Sequence, residues 1–504
     1  MKFSKKIVVG AMLIMTAPAF AQFTLDGELR PRFEYRHGFK AVADSAQDGA
    51  ASVEQRTRLN FGYKTEGYIF KVTLQDVRVW GSQPTLIGTA AQQNNDGVYL
   101  SVHEAWGEAL MTNKWSVKMG RQEIDYDDAR IFGNVAWAQQ ARSHDAAILK
   151  FKAEKFKMDL GVAYNQDKSA LAKTEASLGS YKAMQYLWLN NKFSENFSAS
   201  VLVLNLGKEQ LNYDSSGTTP VQYFTDDYSQ TMGTRLLYKK NKLEVAGAFY
   251  YQMGIDANRG KVFRDREGEY DNKAQAMNYR LDVSYKITEK ITARAGYEFM
   301  SGNSQTDTSL TYLRTNHAFN PHFGTNHKFN GLMDYFYVGN HIGSVGLNDI
   351  FFGLKYKSEK FWVAADAHLF LAAANVWDGY KYNKDLSIAT EALADATTQT
   401  QIDEATANIN KVKDNKYTKY KMESNLGTEI DVTFGFNLAK GVDLQAGYSV
   451  MIDTETLAYL KGVTYKKGDN AGQGRTDQMN SWGWLMITFK PKFITGEEKK
   501  PEVK

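Results

Sequence analysis

Between Phe23 and Tyr35 the chain alternates without a break. Its odd positions are apolar, Gly or Pro, and its even positions (Thr24, Asp26, Glu28, Arg30, Arg32, Glu34) are polar and mostly charged. Successive side chains of a strand point to opposite faces, so the stretch predicts a strand with one oily and one charged face. The same period of two recurs along the chain. It predicts strands over 23–35, 55–64, 67–80, 98–110, 114–122, 145–153, 156–165, 183–193, 196–206, 231–239, 242–252, 275–287, 290–300, 350–358, 360–371, 426–437, 441–452 and 480–490.

The gaps sort into two kinds. "KTEG" at 64–67, "MTN" at 111–113, "EK" at 154–155, "SE" at 194–195, "KN" at 240–241, "TEK" at 288–290, "SE" at 358–359 and "AKG" at 439–441 are tight hairpins. Long connections alternate with them, the longest near 301–349 and 372–425. About eighteen strands, an even number, with short turns at one rim and long loops at the other, are the marks of a bacterial outer-membrane barrel. Most segments match the ~9–11 residues that cross a membrane at a tilt. The expected fold is therefore all-β, a transmembrane antiparallel barrel with short periplasmic turns, long extracellular loops and both termini periplasmic.

On that reading the oily faces meet lipid and the charged faces line a lumen. Arg56 and Arg58 oppose Leu59 and Phe61, and Arg280 and Asp282 oppose Leu281 and Val283. Arg294 and Glu298 oppose Ala295 and Tyr297, and Glu429 and Asp431 oppose Ile430 and Val432. A barrel of this size leaves an aqueous channel and has no open edge to aggregate.

Composition sharpens the picture. Residues 1–21 have a basic start, a short apolar run and Ala19-Phe20-Ala21, the pattern of a secretory signal cleaved before Gln22. The chain has no Cys, so neither a disulfide nor a lipid anchor on cysteine can form. Mean hydropathy is -0.47 despite 29 Tyr and 28 Phe, which is what alternation produces. The net charge of +4 says little about partners, and no nucleic-acid module or cofactor motif is present. The mature chain reads as one barrel over 22–494 with a charged tail at 495–504. Within its longest connection, 385–411 is rich in Ala, Glu and Gln and predicts a helix or a mobile segment.

The most distinctive run is "GRQEIDYDDARIFGNVAWAQQARSHDAA", 120–147, which the register places in an extracellular loop. With "QRTRLNFGY" at 55–63, "FNPHFGTNHKFNGLMDYF" at 319–336, "LGTEIDVTFGF" at 426–436 and "GVDLQAGYS" at 441–449, it resembles the alginate-export family of outer-membrane porins. The resemblance implies an eighteen-stranded porin whose inward-folded loops and arginines form a constriction, and whose founding members pass a linear polyuronate outward. Arg121, Arg130, Trp137, Arg142 and Asp145 match the family's most characteristic run.

Guanidinium stays charged and grips carboxylate in bidentate fashion, and rings of Arg or Lys select anions in pores. The candidate lining is therefore Arg30, Arg32, Arg56, Arg58, Arg78, Arg121, Arg130, Arg142, Asp145, Arg235, Arg280 and Arg294. The bland alternative is that these side chains pair with lumenal acids and hold the barrel round. The expected solute is an anionic saccharide or small anion, the other partner is outer-membrane lipid, and the barrel is expected to be a monomer without a cofactor or metal. A general diffusion porin, or a barrel that binds partners through its loops, are the competing readings. An enzyme built on His322, His327 and Asp334 fits less well, because no nucleophile signature accompanies them, and "DYDDAR" (125–130) reads better as a solvated or Arg-paired acidic turn than as a Ca²⁺ site.

Overall fold

The computed structural model describes residues 22–82, 100–172, 176, 181–214, 221–256 and 273–496. The expected signal peptide and the tail beyond 496 lie outside the described residues. Eighteen strands form one closed antiparallel sheet. In chain order they are β1 (Gln22–His37), β2 (Ala50–Lys64), β3 (Tyr68–Val79), β4 (Leu100–Leu110), β5 (Trp115–Gln122), β6 (His144–Lys152), β7 (Phe156–Tyr164), β8 (Ala183–Lys192) and β9 (Phe197–Asp214). There follow β10 (Val221–Lys240), β11 (Leu243–Ile255), β12 (Lys273–Lys286), β13 (Ile291–Met300), β14 (Leu347–Lys357), β15 (Phe361–Leu371), β16 (Asn425–Ala439), β17 (Val442–Asp453) and β18 (Asn480–Phe489). Each pairs with its neighbour in sequence. β1 also pairs with β18, Leu29 opposite Phe489 and Arg36 opposite Trp482, which closes the ring.

Most strand ends match the alternation closely; the strand expected over 55–64 begins earlier, at Ala50, and one pair departs further. The strands expected over 196–206 and 231–239 run on to Asp214 and begin at Val221, spanning 18 and 20 residues. In this extension Glu209 stands opposite Asp226, and Lys182 binds both, at 2.7 and 2.9 Å. Ion pairs there replace the apolar face, so the period-two signal stops while the ladder continues. At the C-terminus the last strand breaks step at Pro491 and re-pairs with β1, Ile494 opposite Leu25. The segment 385–411 forms the middle of a helical hairpin, α1 (Gly379–Ala394) and α2 (Gln399–Asp414). The Asp378 carboxylate caps the first helix, and Thr398 with Gln401 forms a capping box on the second.

Alternation also sorts burial. On β12 and β14, Leu281 and Phe352 are 50% and 56% exposed, while Arg280 and Phe351 are 7% and 2% exposed. A continuous exposed apolar belt of this kind is suited to lipid rather than water. The inner face is not only charged. Tyr186, Leu204, Tyr250, Met300, Trp482 and Met486 point inward and are buried, because two loops, 123–143 and 319–346, fold into the barrel and pack on them.

Candidate functional site

The two inward loops are zipped into one body. Phe132 bridges to Phe323, the Gly133 N–H donates to the Phe323 carbonyl at 2.9 Å, and the Thr325 N–H donates to the Ala129 carbonyl at 2.9 Å. Eight of the ten described non-Gly residues with positive φ lie in these loops, among them Asp127, Ala129, Val135, Ala141, His322 and Tyr337. Such backbone is strained, most of all at β-branched Val135, and persists only where surrounding contacts dictate it.

Arginines of the wall supply those contacts. Arg30 donates to the carbonyls of Ala136, Trp137 and Ala138 at 2.8, 3.1 and 3.3 Å and to Gln139 Oε1 at 2.9 Å. Arg56, directly across the ladder, reaches the Ala136 and Ala138 carbonyls at 3.2 and 3.3 Å and pairs with Glu28 at 2.7 Å. Arg32 donates to the Trp137 carbonyl at 2.7 Å and lies 4.3 Å over the Trp137 ring. His327 stacks on that indole at 4.8 Å, so the ring spaces the two loops and has neither face free. Opposite, Arg130 is 1% exposed, pairs with buried Glu298 and donates to Asn330 at 3.1 Å.

These placements revise the expected lining. Arg30, Arg32, Arg56 and Arg130 do converge inside the barrel, but as loop anchors. Arg280 and Arg294 face the lumen, held by Glu298 at 2.8 Å and Asp366 at 2.9 Å respectively, as the bland alternative has it. Arg235 lies 3.3 Å from Asp128, Arg78 pairs with Asp76 at 2.6 Å, and Arg58 donates to Gln75 at 2.7 Å. Arg121 and Asp145 border a cavity of about 400 Å³, but not from the inner face of the strands. They stand opposite each other on the outward parity, paired at 2.8 Å with side chains 43% and 62% exposed. Their neighbours Gln122 and His144 take the inward positions, since adjacent strand residues cannot share a face. The acids of "DYDDAR" diverge: Asp127 accepts from Trp188 Nε1 at 3.2 Å while Asp128 holds Arg235. Among the described residues no group of three His, Asp or Glu could hold a metal ion.

What remains open is a cavity of about 530 Å³ between the loops and the β1–β2 wall. Arg32, Arg36, Lys40 and Arg142 supply its positive side, and Glu34, Glu54 and Asp334 its negative side. Arg36 is engaged by Glu34 at 2.8 Å and Glu54 at 3.3 Å. The Arg142 guanidinium has no carboxylate partner among the described residues and donates only to the Gly324 carbonyl, at 3.3 Å. Desolvation pushes its guanidinium down to about 10, so it remains charged at neutral pH. Arg142 also borders a second cavity of about 400 Å³ with His144, Tyr181 and Phe323. Further along the wall Lys71, Lys118 and Lys150 project inward, Lys118 lying 4.0 Å over the Trp106 ring. Sequence reasoning did not single out Lys40 or these three lysines, although inward parity was a sufficient signal for the last three.

The class that this architecture defines is the eighteen-stranded outer-membrane barrel with loops folded into its lumen. No family model matches the chain, and no curated protein matches it. The fold is that of solved Occ and Opd outer-membrane channels. OccAB1 of Acinetobacter baumannii is similar with a TM-score of 0.55 at 11% identity, over 94% of this chain and 97% of that one. OccAB4 of the same organism gives 0.54 at 11%, over 94% and 98%. Pseudomonas aeruginosa OpdK, solved with vanillate, gives 0.51 at 10%, over 93% and 99%. At these identities the likeness extends to the fold alone.

Proposed function

We propose that the protein is a monomeric channel of the Gram-negative outer membrane, exported by the signal at 1–21, that passes small anionic solutes passively, acidic sugars of the uronate type among them. The observation that carries this reading is the cavity beside the inward loops, where Arg142 and Lys40 have no carboxylate partner among the described residues. A pore cation already paired with an acid attracts little. An unpaired one in a narrow, partly desolvated passage acts through a lower dielectric. The lumenal acids keep each attraction weak enough for release, which conduction requires. The structural neighbour solved with vanillate, an aromatic carboxylate, fits the same solute class. The resemblance to the alginate-export family adds acidic sugar chains to it. Proteoliposomes carrying the purified protein test the reading: galacturonate uptake is expected to outrun glucose uptake. Equal rates, or faster glucose, would leave a general diffusion pore as the better description.

A further inference from the structure

The lumen also carries a pair of buried acids that no cation answers. Glu429 and Asp431 stand two residues apart on the inner face of β16, and both are fully buried. Their carboxyl groups lie within hydrogen-bonding reach of each other. The tip of the 319–346 loop closes over them. The Met333 N–H donates to Glu429 Oε1 at 2.7 Å, and the Leu332 N–H to Asp431 Oδ2 at 3.3 Å. Gly331, at φ +75°, lets the backbone lie against the Glu429 carboxyl, where a Cβ would collide with it. Ser449 donates to Asp431 from β17, while Glu429 Oε2 is buried without a hydrogen-bond partner. The titratable groups packed around the pair are already engaged. Across the ladder on β15, Asp366 holds Arg294 at 2.9 Å, and His368 is held by Asp349 of β14 at 2.9 Å. Within the loop, Asp334 is held by His327 at 2.6 Å, and the Tyr335 hydroxyl donates to the Gly38 carbonyl. Among the described residues no lysine or arginine pairs with Glu429 or Asp431.

Resting on the channel reading above, we propose that Glu429 and Asp431 share one proton, and that this proton latches the inward loop over the passage. Two carboxylates in contact and out of water cannot both stay charged without a cation between them. With one proton the pair carries a single negative charge. Two loop N–H groups and the Ser449 hydroxyl suffice to hold that charge, and the proton gives Glu429 Oε2 the partner it lacks. When the loop lifts away, water reaches both groups and each ionises near its ordinary value of about 4. Only the docked state keeps the proton, so docking weakens as pH rises and the proton passes to water. Once it is gone, the like charges repel beneath the loop tip, and the tip has no cation to offer them.

The test compares the full-length protein with Glu429→Gln and Asp431→Asn, each close to the native shape without the charge. Retention of heat-modifiable gel mobility shows that each barrel is intact. Infrared spectra in detergent at pH 7 are expected to show the C=O stretch of a protonated carboxyl in the wild type, shifted in heavy water. Glu429→Gln is expected to lose that band. Single-channel conductance of the wild type is expected to step up as pH rises above neutral. The step should be absent in Glu429→Gln and move to lower pH in Asp431→Asn, where the like charge is gone. A wild-type spectrum with no carboxyl band for Glu429→Gln to remove would overturn the shared proton. A band without a conductance step, or a step that neither variant changes, would overturn the latch. The band is read whether or not the protein conducts, so a barrel that shows it and forms no channel sinks the channel reading and not the shared proton.

Discussion

Replacing Arg30 by Gln should release the 123–143 loop from the wall. The Arg30 guanidinium satisfies three backbone carbonyls and the Gln139 amide oxygen, all between 2.8 and 3.3 Å. Each such bond contributes roughly 0.5–1.5 kcal/mol net, and an acceptor left buried and unpaired costs about 1–3 kcal/mol. Arg56 already shares the Ala136 and Ala138 carbonyls, at 3.2 and 3.3 Å, and Gln can recover one bond. A net loss of about 2–3 kcal/mol follows, which shifts the balance between docked and released loop by roughly 30- to 140-fold. The absence of cysteine from the chain provides the assay. Ile131, 2% exposed in the docked loop, becomes a sole thiol in the Ile131→Cys variant. Maleimide labelling of that thiol is expected to accelerate by the same factor in the Arg30→Gln background, with longer dwells at a higher single-channel conductance. Labelling rates and conductance that do not change would refute the anchoring role of Arg30.

Two pH dependences follow from the loops. Because desolvation lowers Arg142 to about 10, anion preference should hold from pH 7 to 9 and fall as pH rises through about 10, and Arg142→Gln should abolish that step in the reversal potential. His322, desolvated and near Lys208, titrates at about 4, and His341, desolvated and near Lys461, at about 3, against an ordinary value of 6.5. The released loop therefore binds protons that the docked loop refuses. Docking should weaken as pH falls from about 6.5 toward 4 and level off below the folded values, read as faster Ile131→Cys labelling.

The barrel was legible because its signal is local. Every strand needs only its own alternation and its own turn, and a lipid-facing residue such as Leu281 or Phe352 has no choice of environment. The site was less legible because it depends on contacts across more than a hundred residues. Arg30 and Arg56 read correctly as inward-facing, but nothing near them in sequence says that Ala136, Trp137 and Ala138 will fill the space they face. The same packing explains why β18 can turn Trp482 and Trp484 inward. Trp482 is buried because Phe39 stacks on it at 4.9 Å and its Nε1 donates to Glu34 at 2.9 Å. Arg121 and Asp145 show a simpler limit: a motif marks residues without saying which face of the strand carries them, and these two border the second cavity from the outward parity. The revision also changes what a charge swap at the wall reports. Arg56→Glu breaks a loop anchor, so altered selectivity in that variant would reflect loop loss as well as lost charge.

Arg142 is the cleanest handle on the central claim, since it borders both cavities and its guanidinium has no carboxylate partner among the described residues and makes only one long bond, to the Gly324 carbonyl. The most direct measurement is the reversal potential of single channels in a tenfold KCl gradient, for the wild type and for Arg142→Glu. The expected result is a wild-type potential on the chloride side of zero that moves toward or past zero in the variant while single-channel insertion is unimpaired. A wild-type pore that prefers potassium, or a potential that Arg142→Glu leaves where it was, would contradict an anion pathway through this cavity.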